Sequence, residues 1–113
     1  MLRLYCVAIS ILLATTSIFA QNYNSLITKG TELYNRGSYD SSLIILKDCL
    51  QTALSTNNKK ELLNIYNLIG HIHSQTGKRV EAMLHYEKLA VLAEEMGNKN
   101  AEARALINMG ALY

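Results

Sequence analysis

Three histidines, His71, His73 and His85, and one mid-chain cysteine, Cys49, are the side chains of this sequence best suited by type to metal ligation or nucleophilic chemistry. A shared metal needs its ligands on one face, as in His-x-x-x-His. His71 and His73 are two residues apart and point to different sides of a helix, with no neighbouring cysteine to join them. Cys49 falls in the apolar series Leu43, Leu46, Cys49, Leu50, Ala53, and nothing near it in sequence would lower its pKa. It reads as a small buried packing residue. No glycine-rich phosphate loop, nucleophile elbow or pair of acid–base carboxylates is present. The sequence therefore predicts no enzyme activity, no metal and no cofactor, and it turns the question towards binding.

Charge excludes one class of partner. The chain has 113 residues and a formal net charge of +2, which falls to about +1 once Arg3 is set aside. Nucleic acid demands a concentrated basic face, and none is found. No like-charge run exceeds two residues, and Lys59-Lys60 and Glu94-Glu95 both read as solvated helix faces.

Residues 1–20 have the order of a cleavable secretory signal. Arg3 precedes an apolar run from Leu4 to Ala14 interrupted only by Ser10, and Ile18-Phe19-Ala20 sets a small residue before Gln21. A retained anchor is the alternative to cleavage after Ala20, and it is disfavoured because the run is shorter than the roughly 20 residues of a bilayer-spanning helix and no basic stop signal follows it. Cys6 stands near the start of the apolar stretch instead of ending it and does not mark a lipoprotein. Residues 21–113 are then an exported domain, periplasmic or extracellular, with the single thiol of Cys49 and hence no disulfide framework.

The elements that position any site are helices. There is no proline, and apolar residues recur at steps of three and four with no strand alternation. Leu26, Gly30, Leu33 and Tyr34 mark a first helix over Asn24 to Asn35, and the Cys49 series marks a second. Leu62, Ile65, Tyr66, Ile69 and His73 mark a third, and Ala82, Met83, Tyr86, Leu89 and Ala93 a fourth. Ala103, Leu106, Met109, Gly110 and Tyr113 begin a fifth. Gly37-Ser38, Asn57-Asn58, Gly77-Lys78 and Gly97-Asn98 supply the stops and caps, and Asn58 with Glu61 forms a capping-box pattern. Gly30, Gly70 and Gly110 are 40 residues apart at one phase. Glycine inside a helix costs roughly 1 kcal/mol against alanine, so a repeated glycine requires a repeated close approach, with Ser42 and Ala82 expected opposite.

Leu26, Gly30, Leu33, Gly37, Tyr39, Ser42, Leu46 and Cys49, then Tyr66, Ile69, Gly70, His73, Gly77, Ala82, Tyr86 and Leu89, then Leu106, Met109, Gly110 and Tyr113, resemble the tetratricopeptide repeat family in its long, forty-residue form. The resemblance covers residues 21–113. It implies an all-α, antiparallel helix-hairpin solenoid of about two and a half repeats, with units near 22–57, 62–97 and an incomplete 101–113. HEAT-type repeats share the period and are the fold alternative, without this glycine phase. His73 stands where the family has Tyr and Arg79 where it has a turn aromatic, so the second unit is expected to pack less tightly.

In that family the first helix of each pair lines a concave groove. Carried over by position, the groove here implicates Thr31, Tyr34 and Asn35, then Asn64, Asn67, His71, Ser74 and Gln75, then Arg104 and Asn108. Asn amides donate to and accept from a peptide backbone, so a protein or peptide is the implied partner. The same residues read equally as ordinary exposed polar positions. Arg104 is the one cation counted in this lining, too few for a clamp on an acidic peptide tail. Leu106, Met109, Leu112 and Tyr113 are expected to lie uncovered, which suggests the N-terminal part of a longer array, or self-association through the C-terminal helix. An exported array of this kind also resembles the sensory input regions of membrane histidine kinases and transcription regulators. A membrane enters that reading only if a longer chain carries a spanning helix.

Overall fold

The computed structural model describes residues 1–113 and contains five α-helices and no strand. They are α1 (Leu2–Asn35), α2 (Tyr39–Ser55), α3 (Lys59–Gln75), α4 (Arg79–Glu95) and α5 (Lys99–Ala111). Each packs on the next in sequence, and α1 also reaches α3. The result is an elongated all-α array of helix hairpins, 64 × 32 × 18 Å. Alternate helices form two layers, α1, α3 and α5 on one side and α2 and α4 on the other.

The turns arise from a backbone requirement repeated every 20 residues. Gly37, Asn57, Gly77 and Gly97 all have positive φ, between 52° and 77°. Each reversal lets the next N–H bond back to the helix just ended, as Ser38 N–H does to Leu33 O at 2.9 Å and Lys78 N–H to His73 O at 2.8 Å. This satisfies carbonyls that a helix end would otherwise leave unpaired. Asn58 caps α3 by accepting from Glu61 N–H at 3.3 Å, and Asn98 caps α5 by accepting from Ala101 N–H at 3.1 Å. Ser38 occupies the N-cap position of α2, but its side chain makes no capping bond.

Nineteen buried apolar residues form one continuous core. The glycine phase is explained in part. A Cβ on Gly70 would lie 2.6 Å from Tyr86 Cε1, and one on Gly30 would lie 3.1 Å from Leu46 Cδ2. The side chains seated on the glycines are therefore Leu46 and Tyr86, four residues beyond the Ser42 and Ala82 that the sequence suggested. Ser42 has a different task, since its Oγ donates to Gly30 O at 2.7 Å across the hairpin. Gly110 has no neighbour within 4 Å of the same position.

Three sequence expectations are corrected here. The second unit is not loosely packed: α3 alone contributes nine buried residues, His73 among them, because it is flanked by α2 and α4. Of the four α5 residues expected to lie uncovered, Leu106 and Tyr113 are exposed, whereas Leu112 is buried at 7% exposure and Met109 packs against the core. Finally, α1 does not begin near Asn24. It is one 34-residue helix, and its N-terminal part is long and apolar enough to cross a membrane by length and composition.

Candidate peptide-binding groove

The polar side chains drawn from α3 and α5 meet in space. Asn108 Nδ2 donates to Asn67 Oδ1 at 3.3 Å and lies 3.4 Å from His71 Nε2. Donation by Asn108 there requires the neutral His71 tautomer that carries its proton on Nδ1. Burial pushes the His71 pKa below its ordinary value, and the nearby Arg104 cation adds to the shift. Tyr34 and Tyr86 flank His71 edge-on, with ring centroids at 6.4 and 5.9 Å, and Tyr34 leans on Tyr39 at 5.9 Å. Burial raises the Tyr34 pKa, and holds that of Tyr86 up at about 12. The phenols therefore stay neutral donors.

Beside this network opens a cavity of about 350 Å³. Asn64, Asn67 and Arg104 line it together with Lys60, Asn98 and Asn100, over a floor of Leu63, Leu89 and Ala101. The sequence counted one cation here; the structure adds Lys60, and no carboxylate lines the cavity. Two cations and four amides facing one space favour an anionic or carbonyl-rich guest over a cationic one.

The other predicted groove residues are scattered. Thr31 turns its hydroxyl back to Ile27 O at 2.9 Å. Ser74 is half-buried, and Asn35 and Gln75 are exposed beyond the cavity. A second cleft, of about 480 Å³, lies away from the groove between α2, α3 and α4. Its apolar lining of Leu54, Leu62, Tyr66, Leu84, Val91 and Leu92 is joined by Asn57 and by charges of both signs on Lys59, Glu87, Lys88 and Glu95, and none of the groove residues expected from the sequence lies in it.

His73 and His85 stack at 5.3 Å, yet no three His, Cys, Asp or Glu side chains gather closely enough to share a metal ion. Cys49 is 1% exposed, and burial raises its thiol pKa, with Asp48 and Glu61 reinforcing the shift. That environment suits packing rather than nucleophilic attack.

No protein-family model matches the chain, and no solved structure resembles it significantly. Over 87 residues it is 33% identical to outer dynein arm-docking complex subunit 4 of Mus musculus. The alignment covers 72% of this chain and 14% of the mouse protein, so the chain corresponds to a small part of that relative.

Proposed function

We propose that residues 21–113 form an exported module of the tetratricopeptide type that binds a protein or peptide along the face of α1, α3 and α5. The observation that carries this reading is the Lys60–Arg104 cavity, where two cations and four Asn amides converge with no carboxylate to neutralise them. It suits a peptide segment bearing an acidic side chain or a free C-terminal carboxylate, with its backbone held by the amides. The mouse relative is named as a subunit of a docking complex, a name in keeping with a binding role.

The test is titration of the chain with a ten-residue peptide ending in two acidic residues, alongside its amidated, neutral counterpart. The acidic peptide is expected to bind more tightly. Reversing charge with Lys60→Glu and Arg104→Glu is expected to weaken it at least tenfold, or ~1.4 kcal/mol. Removing the amides with Asn67→Ala and Asn108→Ala is expected to weaken both peptides. If all four changes leave binding untouched, the groove reading is wrong.

Export rests on the N-terminal half of α1. Residues 1–22 are all exposed, and the only buried residues of α1 are Tyr23 and Gly30. Cleavage after Ala20 thus removes an apolar helix without taking any side chain from the core. The expected mature chain begins at Gln21, which N-terminal sequencing of the secreted protein would read. A membrane-bound chain that still carries residues 1–20 would instead favour the second reading, the input region of a membrane-bound sensor or regulator, with α1 as its tether.

A further inference from the structure

His71, Asn108 and Asn67 form a chain of three side chains in which one proton fixes the direction of every bond. Asn108 Nδ2 approaches both Asn67 Oδ1, at 3.3 Å, and His71 Nε2, at 3.4 Å. Asn67 Nδ2 and Asn108 Oδ1 have no partner within the chain, and Asn67 lines the cavity with Lys60 and Arg104. All three side chains of the network are half-buried. A side-chain amide exchanges donor for acceptor when it turns over, so the network has two self-consistent arrangements. In the first, a bare Nε2 accepts from Asn108, Asn108 also donates to Asn67, and Asn67 Nδ2 and Asn108 Oδ1 are left free. In the second, a proton-bearing Nε2 donates to Asn108 Oδ1, both amides are reversed, and the free atoms are Asn67 Oδ1 and Asn108 Nδ2.

We propose that His71 is the positioning residue of the groove: with its proton on Nδ1 it locks both amides in the first arrangement, and so sets which atoms of the pair meet a bound peptide. The use of the lock rests on the peptide-binding reading above. The packing supports it, because Asn108 turns its nitrogen towards Nε2. Around the ring stand Tyr34 from α1, Asn67 from α3, Tyr86 from α4, and Asn108 and Arg104 from α5. Arg104 is the one charged group acting on the imidazole, and a cation beside a half-buried ring disfavours a second cation there. The locked pair offers one donor, Asn67 Nδ2, and one acceptor, Asn108 Oδ1, from neighbouring helices. That is the complement of a single peptide unit. A proton added at Nε2 makes it a donor and inverts the pair.

Two measurements on the full chain test the lock. Nitrogen NMR of the His71 ring near neutral pH is expected to show a proton on Nδ1, a bare Nε2, and coupling from Nε2 to the side-chain amide hydrogens of Asn108. A proton on Nε2 overturns the proposal and leaves the groove reading standing. Binding is then followed with the amidated, neutral peptide, which has no charge to respond to the histidine. Its affinity is expected to fall about fivefold in His71→Leu, which keeps bulk without an acceptor, and not to fall further when His71→Leu is added to Asn108→Ala. His71→Gln, whose side-chain carbonyl can accept from Asn108, is expected to restore most of the loss. A residue that only supported the fold would weaken binding equally in both backgrounds. That result, or an affinity unchanged in His71→Leu, overturns the proposal. If neither the acidic nor the neutral peptide binds the parent chain, the groove reading falls, and the His71 ring nitrogens alone decide whether the lock exists.

Discussion

Gly70→Ala is expected to lower the melting temperature of the chain sharply, while the same change at Gly110 raises it. At Gly70 the added methyl would sit 2.6 Å from Tyr86 Cε1 and 2.8 Å from Cδ1, well inside contact distance. Tyr86 is 2% exposed and held between α3 and the His71 ring, so it has little room to withdraw. Overpacking of this kind costs typically 1–3 kcal/mol, against which alanine regains up to about 1 kcal/mol of helix propensity. A net loss of about 1 kcal/mol, the middle of that range, corresponds to roughly 4–8 °C in a domain of this size. At Gly110 no atom opposes the methyl, so only the propensity gain remains, roughly 0.5–1 kcal/mol. Gly30 falls between them, because the flexible end of Leu46 at 3.1 Å can give way.

Thermal melts of the three alanine variants check the order, with Gly70→Ala lowest and Gly110→Ala highest. The clash itself is isolated by adding Tyr86→Leu, which copies the Leu46 that rests on Gly30. Alone, Tyr86→Leu opens a gap beside His71 and is expected to destabilise. In the Gly70→Ala background it relieves the overlap, so the two changes together cost less than their sum by about 0.5–3 kcal/mol. Strict additivity would show that Tyr86 does not press on Gly70.

Features demanded by the local backbone were legible in the sequence. Gly37, Asn57, Gly77 and Gly97 each announce a left-handed residue, and the structure places a helix end at every one. The core stripes of α2, α3 and α4 were legible for the same reason, since long apolar side chains recur at helical spacing. The fifth helix was legible in part: Leu106 and Tyr113 stand in solvent as expected, but its inward face is built on the small Ala101 and Ala105 together with Leu112, and small residues announce a buried face weakly. Lys60 was missed for another reason. It lies in the first turn of α3 and Arg104 in the second turn of α5, and only the stacking of α3 beside α5 brings them to one cavity. The continuation of α1 through residue 20 was hidden by reading the apolar segment and the repeat domain as separate units.

Acid is expected to destabilise this array before its carboxylates titrate, through His73 and His85. His73 is 6% exposed, its Nδ1 has no hydrogen-bond partner, and the His85 ring lies 5.3 Å away. Burial lowers the His73 pKa most; His85, Lys78 and Lys47 lower it further, and Glu81 alone opposes them. Burial also lowers that of His85, with Lys88 and Lys47 adding to the shift against a bond to the Glu81 carbonyl. Both imidazoles are thus neutral when folded and take up protons more readily when unfolded. Stability is fully present above the ordinary histidine value near 6.5 and is lost as pH falls from there through the lower folded values. Melting temperatures measured from pH 7.5 to 5.5 should fall steadily, in a window above the carboxylate range. His73→Phe removes one proton site and the stranded nitrogen while keeping an aromatic ring in the core, so its profile should be flatter and higher at acid pH. His71, lowered by burial and Arg104 on the groove side, supplies a remaining slope in that variant. A wild-type profile that is level across this window, or that rises on acidification, would show that the histidine pair is not held neutral by the fold.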